Sequence, residues 1–169
     1  EVRAVLPEAE PFTSDAAVLR GALQNAIEAR GRTALHDAII GGLHYVTRGM
    51  HERRVLVVIS DGGDNASAAP FDEVLRRTQI SNTVIYTIAL VDPLDRDARP
   101  GRLKQLAEAS GGEAFQPHDI SEIPDVLRHI ARDVRNMYTI GYVPSRSHGA
   151  GLRRIRVSVE APNRGSLRV

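Results

Sequence analysis

Arg54-Val55-Leu56-Val57-Val58-Ile59-Ser60-Asp61-Gly62-Gly63-Asp64-Asn65 is the stretch whose reading decides the fold. From Val55 to Ile59 five apolar residues, four of them β-branched, run without a polar interruption. A run so short and unbroken predicts a strand buried on both faces, as in a parallel sheet covered by helices. It ends in a polar, Gly-rich turn that carries Asp61 and Asp64. In open α/β sheets the ligand crevice lies beyond the carboxyl ends of the strands, which is where Asp61 would stand. The same turn also reads as a solvated one, its Asp and Asn capping the next element. Both readings stand at this point.

On the amino-terminal side, residues 2–6 form a short apolar run closed by Pro7, an expected edge strand. Thr13, Ser14 and Asp15 offer caps for a helix over about 15–30, whose Leu19, Leu23 and Ile27 should lie on the sheet. Gly31-Arg32-Thr33 breaks that helix and opens another to about Arg48, with Leu35, Ile39, Leu43 and Val46 at helical spacing. Gly41-Gly42 inside it costs roughly 1 kcal/mol per Gly against Ala, so the pair implies close packing on a strand. The Thr33 hydroxyl is free either to cap this helix or to face the crevice beside Asp61.

On the carboxyl side, Pro70 starts a short helix over about 71–80, and a second buried strand is expected from Thr83 to Leu90. Residues 92–101 form a polar loop, 102–110 a helix stopped by Gly111-Gly112, and 113–116 a brief strand. Asp119-Ile120-Ser121-Glu122 has capping-box form and opens a helix to about Asn136, with Ile123, Val126, Leu127, Ile130 and Val134 as its buried stripe. The pattern then changes. Two strand-like runs, 137–143 and 152–160, flank a Pro- and Gly-containing loop; the second alternates apolar and polar residues like a half-exposed antiparallel strand. The expected organisation is an α/β domain over 1–136, a Rossmann-like, doubly wound, mostly parallel sheet with helices on both faces. A C-terminal antiparallel β-hairpin over 137–169 would pack on it.

A chain of 169 residues supports one domain with a real core, and a formal net charge of +1 gives no case for nucleic acid as a partner. No apolar run approaches the roughly 20 residues of a membrane helix. With no Cys in the chain, disulfides and thiolate metal sites are excluded. The Arg-rich tail from Leu152 onward reads first as a solvated strand face and second as an anion-binding patch.

The fingerprints of the usual α/β enzymes are missing: no G-x-x-x-x-G-K-[ST], no G-x-G-x-x-G, no G-x-S-x-G, no H-E-x-x-H. His36 and His44, eight apart on one expected helix, read as surface or packing residues rather than ligands. What remains is a hydroxyl, Thr33, and a carboxylate, Asp61. Oxygen donors of this kind suit a hard divalent cation, Mg²⁺ foremost.

Gly31-Arg32-Thr33-Ala34-Leu35-His36-Asp37-Ala38-Ile39, followed by Val57-Val58-Ile59-Ser60-Asp61-Gly62-Gly63-Asp64-Asn65, resembles the second and third metal-site loops of von Willebrand factor type A domains. The tail, Met137-Tyr138-Thr139-Ile140-Gly141-Tyr142-Val143-Pro144 and then Arg153 to Val159, resembles a bacterial branch of that family known from acidobacterial genomes. The resemblance implies a metal-ion-dependent adhesion site that takes Asp-x-Ser-x-Ser from the first strand, Thr from the second loop and Asp from the third. By position Thr33 matches that Thr and Asp61 that Asp. This sequence holds no Asp-x-Ser-x-Ser and aligns from the family's third strand onward, so the first two strands and their helix are expected to lie outside it.

These residues lead to an expected non-enzymatic protein-binding or adhesion domain. In the intact protein a Mg²⁺ or Mn²⁺ near Thr33 and Asp61, a site incomplete in this chain, would take an acidic side chain of a protein ligand. The resemblance also implies a secreted or cell-envelope bacterial protein. The competing expectation is a metal-independent assembly module that pairs through a strand edge, with self-association, or through the Arg-rich tail. An enzyme acting through Asp61 ranks third.

Overall fold

The computed structural model describes residues 12–26, 32–92, 94–138, 141, 143, 158–161 and 165–168. The helices are α1 (Ala16–Ala26), α2 (Leu35–Val46), α3 (Phe71–Ile80), α4 (Pro100–Ser110) and α5 (Ile123–Asn136); a single 3₁₀ turn, Ile120–Glu122, leads into α5. The strands are β1 (Arg54–Ser60), β2 (Thr83–Ala89), β3 (Ala114–Phe115), β4 (Ser158–Ala161) and β5 (Gly165–Arg168). The chain divides into two compact units, Glu1–Met137 and Tyr138–Val169.

In the first unit β1, β2 and β3 form a parallel sheet in that order, with Arg54 opposite Thr83 and Ser60 opposite Ala89. Side chains alternate across the sheet with period two. Leu56, Val58, Ile85 and Ala89 therefore share one face, which packs on Ile39 and Leu43 of α2, Val74 of α3, and Leu103 and Leu106 of α4. Val55, Val84, Tyr86 and Ile88 share the other face with Phe115 and with Val126, Ile130 and Val134 of α5. This is the expected α/β sheet with helices on both faces. Gly42 in α2 is where that helix comes closest to the sheet: a Cβ there would meet the Leu56 methyls at 3.2 and 3.3 Å.

Two burial expectations are overturned. The strand buried on both faces is β2, where Ile85, Thr87 and Ile88 are fully covered. β1 is instead an edge strand among the described residues, and on its α5-side face Val57 is 39% and Ile59 53% exposed. An unbroken apolar run specifies a strand, but whether its second face is covered depends on neighbours that the run does not encode. The α1 stripe does not lie on the sheet either, since Leu19 is 49% and Leu23 65% exposed. Periodicity gives a helix its apolar side without assigning that side a partner. Ile27 and the expected strand over 2–6 lie outside the described residues.

The second unit holds an antiparallel pair, Ser158 opposite Arg168 and Ala161 opposite Gly165. β4 falls at the carboxyl end of the run expected at 152–160, whereas β5 lies beyond both expected runs. Met137, Tyr138, Gly141 and Val143 carry no strand, and 144–157 lie outside the described residues.

Candidate metal site

The carboxyl end of β1 runs straight into Asp61, and the parallel arrangement carries the chain from β2 to the same rim of the sheet, where residues 92–99 follow. The two loops are tied together: Leu90 N–H donates to the Ser60 carbonyl (3.0 Å) and Arg99 N–H to the Asp61 carbonyl (3.0 Å). Gly62 sits between them with φ +84°, in the left-handed region, and a side chain there would overlap the Arg99 carbonyl. Only glycine satisfies both conditions.

The loop after β1 is also knitted to the start of α2. Asn65 Oδ1 accepts from Thr33 N–H (2.8 Å), while Asn65 and Ala66 N–H donate to the Thr33 carbonyl (3.0 and 3.1 Å). Arg32 donates to the Asn65 carbonyl. The first turn of α2 finds its caps across the chain rather than beside it. Ala34 is the N-cap and supplies none; Asp64 Oδ2 accepts from His36 N–H (2.8 Å) and Ser67 Oγ from Asp37 N–H (3.1 Å). Asp37 returns the favour to the loop, accepting from Ala68 and Ala69 N–H at 2.8 and 3.0 Å. A helix start leaves orphan N–H groups that attract negative charge, which is why an Asp from a distant loop serves here.

This arrangement divides the carboxylates by role. Asp64 is engaged through both oxygens: besides His36 N–H it accepts from the Ser67 hydroxyl and Ser67 N–H. Its burial pushes the carboxyl pKa up, but these hydrogen bonds, with the His36 ring, outweigh that and hold it below its ordinary value. Asp61 is half engaged. Its Oδ1 accepts from Gly63 N–H (2.9 Å) and the Ser60 hydroxyl (3.3 Å), whereas Oδ2 accepts nothing among the described residues. The Thr33 hydroxyl likewise makes no hydrogen bond among the described residues, so it does not cap α2.

Thr33 and Asp61 line one cleft of about 350 Å³, together with Gly63, Asp64, Asn65, Asp95, Asp97, Arg99 and Arg102. The two residues predicted from the sequence are thus brought to one site. Asp95 and Asp97 are the additions that sequence reading missed. They sit in the polar loop after β2, where Asp95 Oδ1 accepts from Asp97 N–H (2.8 Å) and the Asp97 carboxylate makes no hydrogen bond among the described residues. The signal was present as three Asp in six residues (92, 95, 97) just past the carboxyl end of the neighbouring strand. Arg102 stacks its guanidinium over Phe71 at 5.3 Å, and Arg99 donates to the Arg96 and Ala98 carbonyls. The cleft therefore presents a spare carboxylate oxygen, a spare hydroxyl and further carboxylates, rimmed by two guanidiniums. Its donor set is all oxygen, which fits a hard divalent cation.

The two histidines of α2 part company. His44 is exposed, while His36 is buried, its Nδ1 3.0 Å from the Ala69 carbonyl and its ring tilted against Phe71. His36 therefore packs the base of the loop.

No family model and no curated protein match the chain. Among solved structures, an aerotolerance-related membrane protein from Bacteroides fragilis, in a form with multiple mutations to serine, is similar at 17% identity and TM-score 0.55. The match covers 75% of this chain and 72% of that one. An uncharacterized membrane-spanning protein from Vibrio fischeri (19% identity, TM-score 0.43; 71% and 67% covered) and an uncharacterized Alicyclobacillus acidocaldarius protein (28%, 0.36; 47% and 35%) are more distant in shape. At these identities the likeness to the Bacteroides structure is one of fold. Among the described residues no helix is long and apolar enough to cross a membrane.

Proposed function

We propose that this chain belongs to a non-enzymatic protein-binding domain of the von Willebrand factor type A kind. It grips an acidic side chain of a protein ligand through a Mg²⁺ or Mn²⁺ held near Thr33 and Asp61. The observation that carries the reading is that Thr33 and Asp61 line the same cleft, while Asp61 Oδ2 and the Thr33 hydroxyl make no hydrogen bond among the described residues. A hard divalent cation there supplies an open coordination position that attracts a carboxylate. The chain's own part is positioning: Gly63 N–H and Ser60 fix one oxygen of Asp61 and leave the other without a hydrogen bond among the described residues, and the Asn65 bonds fix the Thr33 backbone. Asp95 and Asp97 add negative charge, and Arg99 and Arg102 stand at the rim for an incoming carboxylate. A secreted or cell-envelope location in a bacterium goes with this reading.

The test is calorimetric titration of Mn²⁺ and Mg²⁺ into the chain, its Asp61→Ala variant and its Thr33→Val variant. Saturable binding that disappears with Asp61→Ala and weakens at least ~10-fold with Thr33→Val supports the site. Binding indifferent to both substitutions sinks it.

The exposed Val57 and Ile59 beside the β1 edge favour one second reading, a metal-independent assembly module. Concentration-dependent association measured by light scattering, unchanged by chelator and abolished by Val57→Lys, is its signature; a monomer at all concentrations refutes it.

A further inference from the structure

At the opposite edge of the sheet, away from the cleft, three side chains of metal-ligating type meet. Glu113 directly precedes β3, and His129 and Asp133 stand one turn apart on α5. His129 Nε2 lies 3.1 Å from Glu113 Oε2 and 3.3 Å from Asp133 Oδ2, and the ligand atoms of all three lie within 4.8 Å of one another. We propose that Glu113, His129 and Asp133 form a second cation site, specific for a borderline divalent transition metal such as Zn²⁺, Co²⁺ or Ni²⁺, that clasps α5 to the β3 edge.

Spacing is the first argument. Bonds of about 2.0–2.1 Å in a tetrahedral site put neighbouring ligand atoms about 3.3 Å apart, the separation that Nε2 keeps from both carboxylates. Electrostatics is the second. A neutral imidazole has at most one proton at Nε2 to share between two carboxylates that repel each other, whereas a dication satisfies both and takes the nitrogen lone pair.

The surroundings also prepare the site. Edge-to-face contact with Phe115, with ring centroids 5.4 Å apart, orients the His129 ring. Tyr86, 4% exposed, lies on the α5 side of β2, one residue before the strand's pairing with β3, so it is beside Glu113. The imidazole distinguishes this site from the all-oxygen cleft: nitrogen selects Zn²⁺, Co²⁺ or Ni²⁺ over Mg²⁺.

Calorimetric titration of Zn²⁺ into the full chain tests the proposal, beside His129→Gln, Asp133→Asn and Asp61→Ala variants. One saturable Zn²⁺ site is expected, weakened at least ~10-fold by His129→Gln and by Asp133→Asn and retained in Asp61→Ala. All three ligands are partly exposed, so the variants are expected to fold, and circular dichroism checks that they do. Substitution by Co²⁺ should add visible d–d absorption that His129→Gln removes. Absence of saturable Zn²⁺ binding, or binding that survives both His129→Gln and Asp133→Asn, overturns the site and leaves an imidazole–carboxylate ion pair only. Loss of binding in Asp61→Ala alone assigns Zn²⁺ to the cleft and overturns it equally.

Discussion

β1 and β2 are neighbours in one sheet, paired along seven residues, and both are rich in β-branched residues, yet they are held in different ways. β2 is covered on both sides: Ile85 touches the α2, α3 and α4 side, Ile88 the α5 side, and neither is exposed at all. β1 is covered on one side. Its Leu56 and Val58 join the core, while Val57 and Ile59 on the reverse face reach solvent. What β1 lacks in apolar cover it has in polar anchoring at its carboxyl end, where the loop from Asp61 to Ala69 is bonded to α2 and to residues 90–99. The difference places the fully buried strand at β2 and the loop that lines the cleft at the end of β1. Binding sites on α/β sheets exploit this division, since the rim loops carry chemistry while the central strand fixes their spacing.

The contrast breaks first, if at all, in the core. Ile88→Ala removes a fully buried side chain from the cluster with Tyr86 and Ile130, and should cost about 2–5 kcal/mol in urea unfolding, enough to threaten a domain of this size. A cost below about 1 kcal/mol would show the α5 face to be loosely packed, and the two strands would then not differ.

A middle-sized effect sharpens the polar half of the contrast. Asp64→Ala removes the cap of the first α2 turn and leaves His36 N–H and the Ser67 groups unpaired, at a cost of roughly 1–3 kcal/mol. The sign with pH follows from the lowered pKa. A carboxyl held below its ordinary 3.8 contributes stability that is complete above that value and is lost as pH falls through the lower, folded-state pKa. Acid unfolding of the wild type should therefore steepen below about pH 4, and Asp64→Asn should flatten that limb. Equal slopes for the two proteins would remove Asp64 as the anchor.

What the sequence revealed follows the same line. Strands 54–60 and 83–89, the helix over 71–80 and the stop at Gly111 were legible because each is specified by its own residues: an apolar run, a 3.6-residue stripe, a left-handed C-cap. The meeting of Thr33 and Asp61 was legible as a motif order, since both lie at the carboxyl rim by topology. Relations between segments were not legible. Asp64 caps a helix that begins 29 residues earlier in the chain, a bond no local window contains. Asp95 and Asp97 enter the cleft only because β2 is parallel to β1. Glu113 meets His129 because β3 and α5 pack; the His129–Asp133 spacing on one helix face was the half of that cluster visible in advance. Cover over Val57, Ile59 and the α1 stripe was misjudged for the same reason.

The smallest expected effect is the most discriminating. Ile59→Thr keeps the β-branched shape that suits a strand and removes apolar surface from a side chain that is already 53% exposed. In a monomeric chain this costs about 1 kcal/mol or less, since little area is returned to water. The measurement is paired unfolding of wild type and variant at low and high protein concentration, with mass by light scattering at each. A small loss independent of concentration leaves β1 as a bare edge. A loss above about 2 kcal/mol that grows with concentration means that a second copy covers Val57 and Ile59, because only a burying partner converts an exposed isoleucine into a stabilising one. In that event the difference between the two strands belongs to the isolated chain alone, and β1 becomes as central to the assembly as β2 is to the fold.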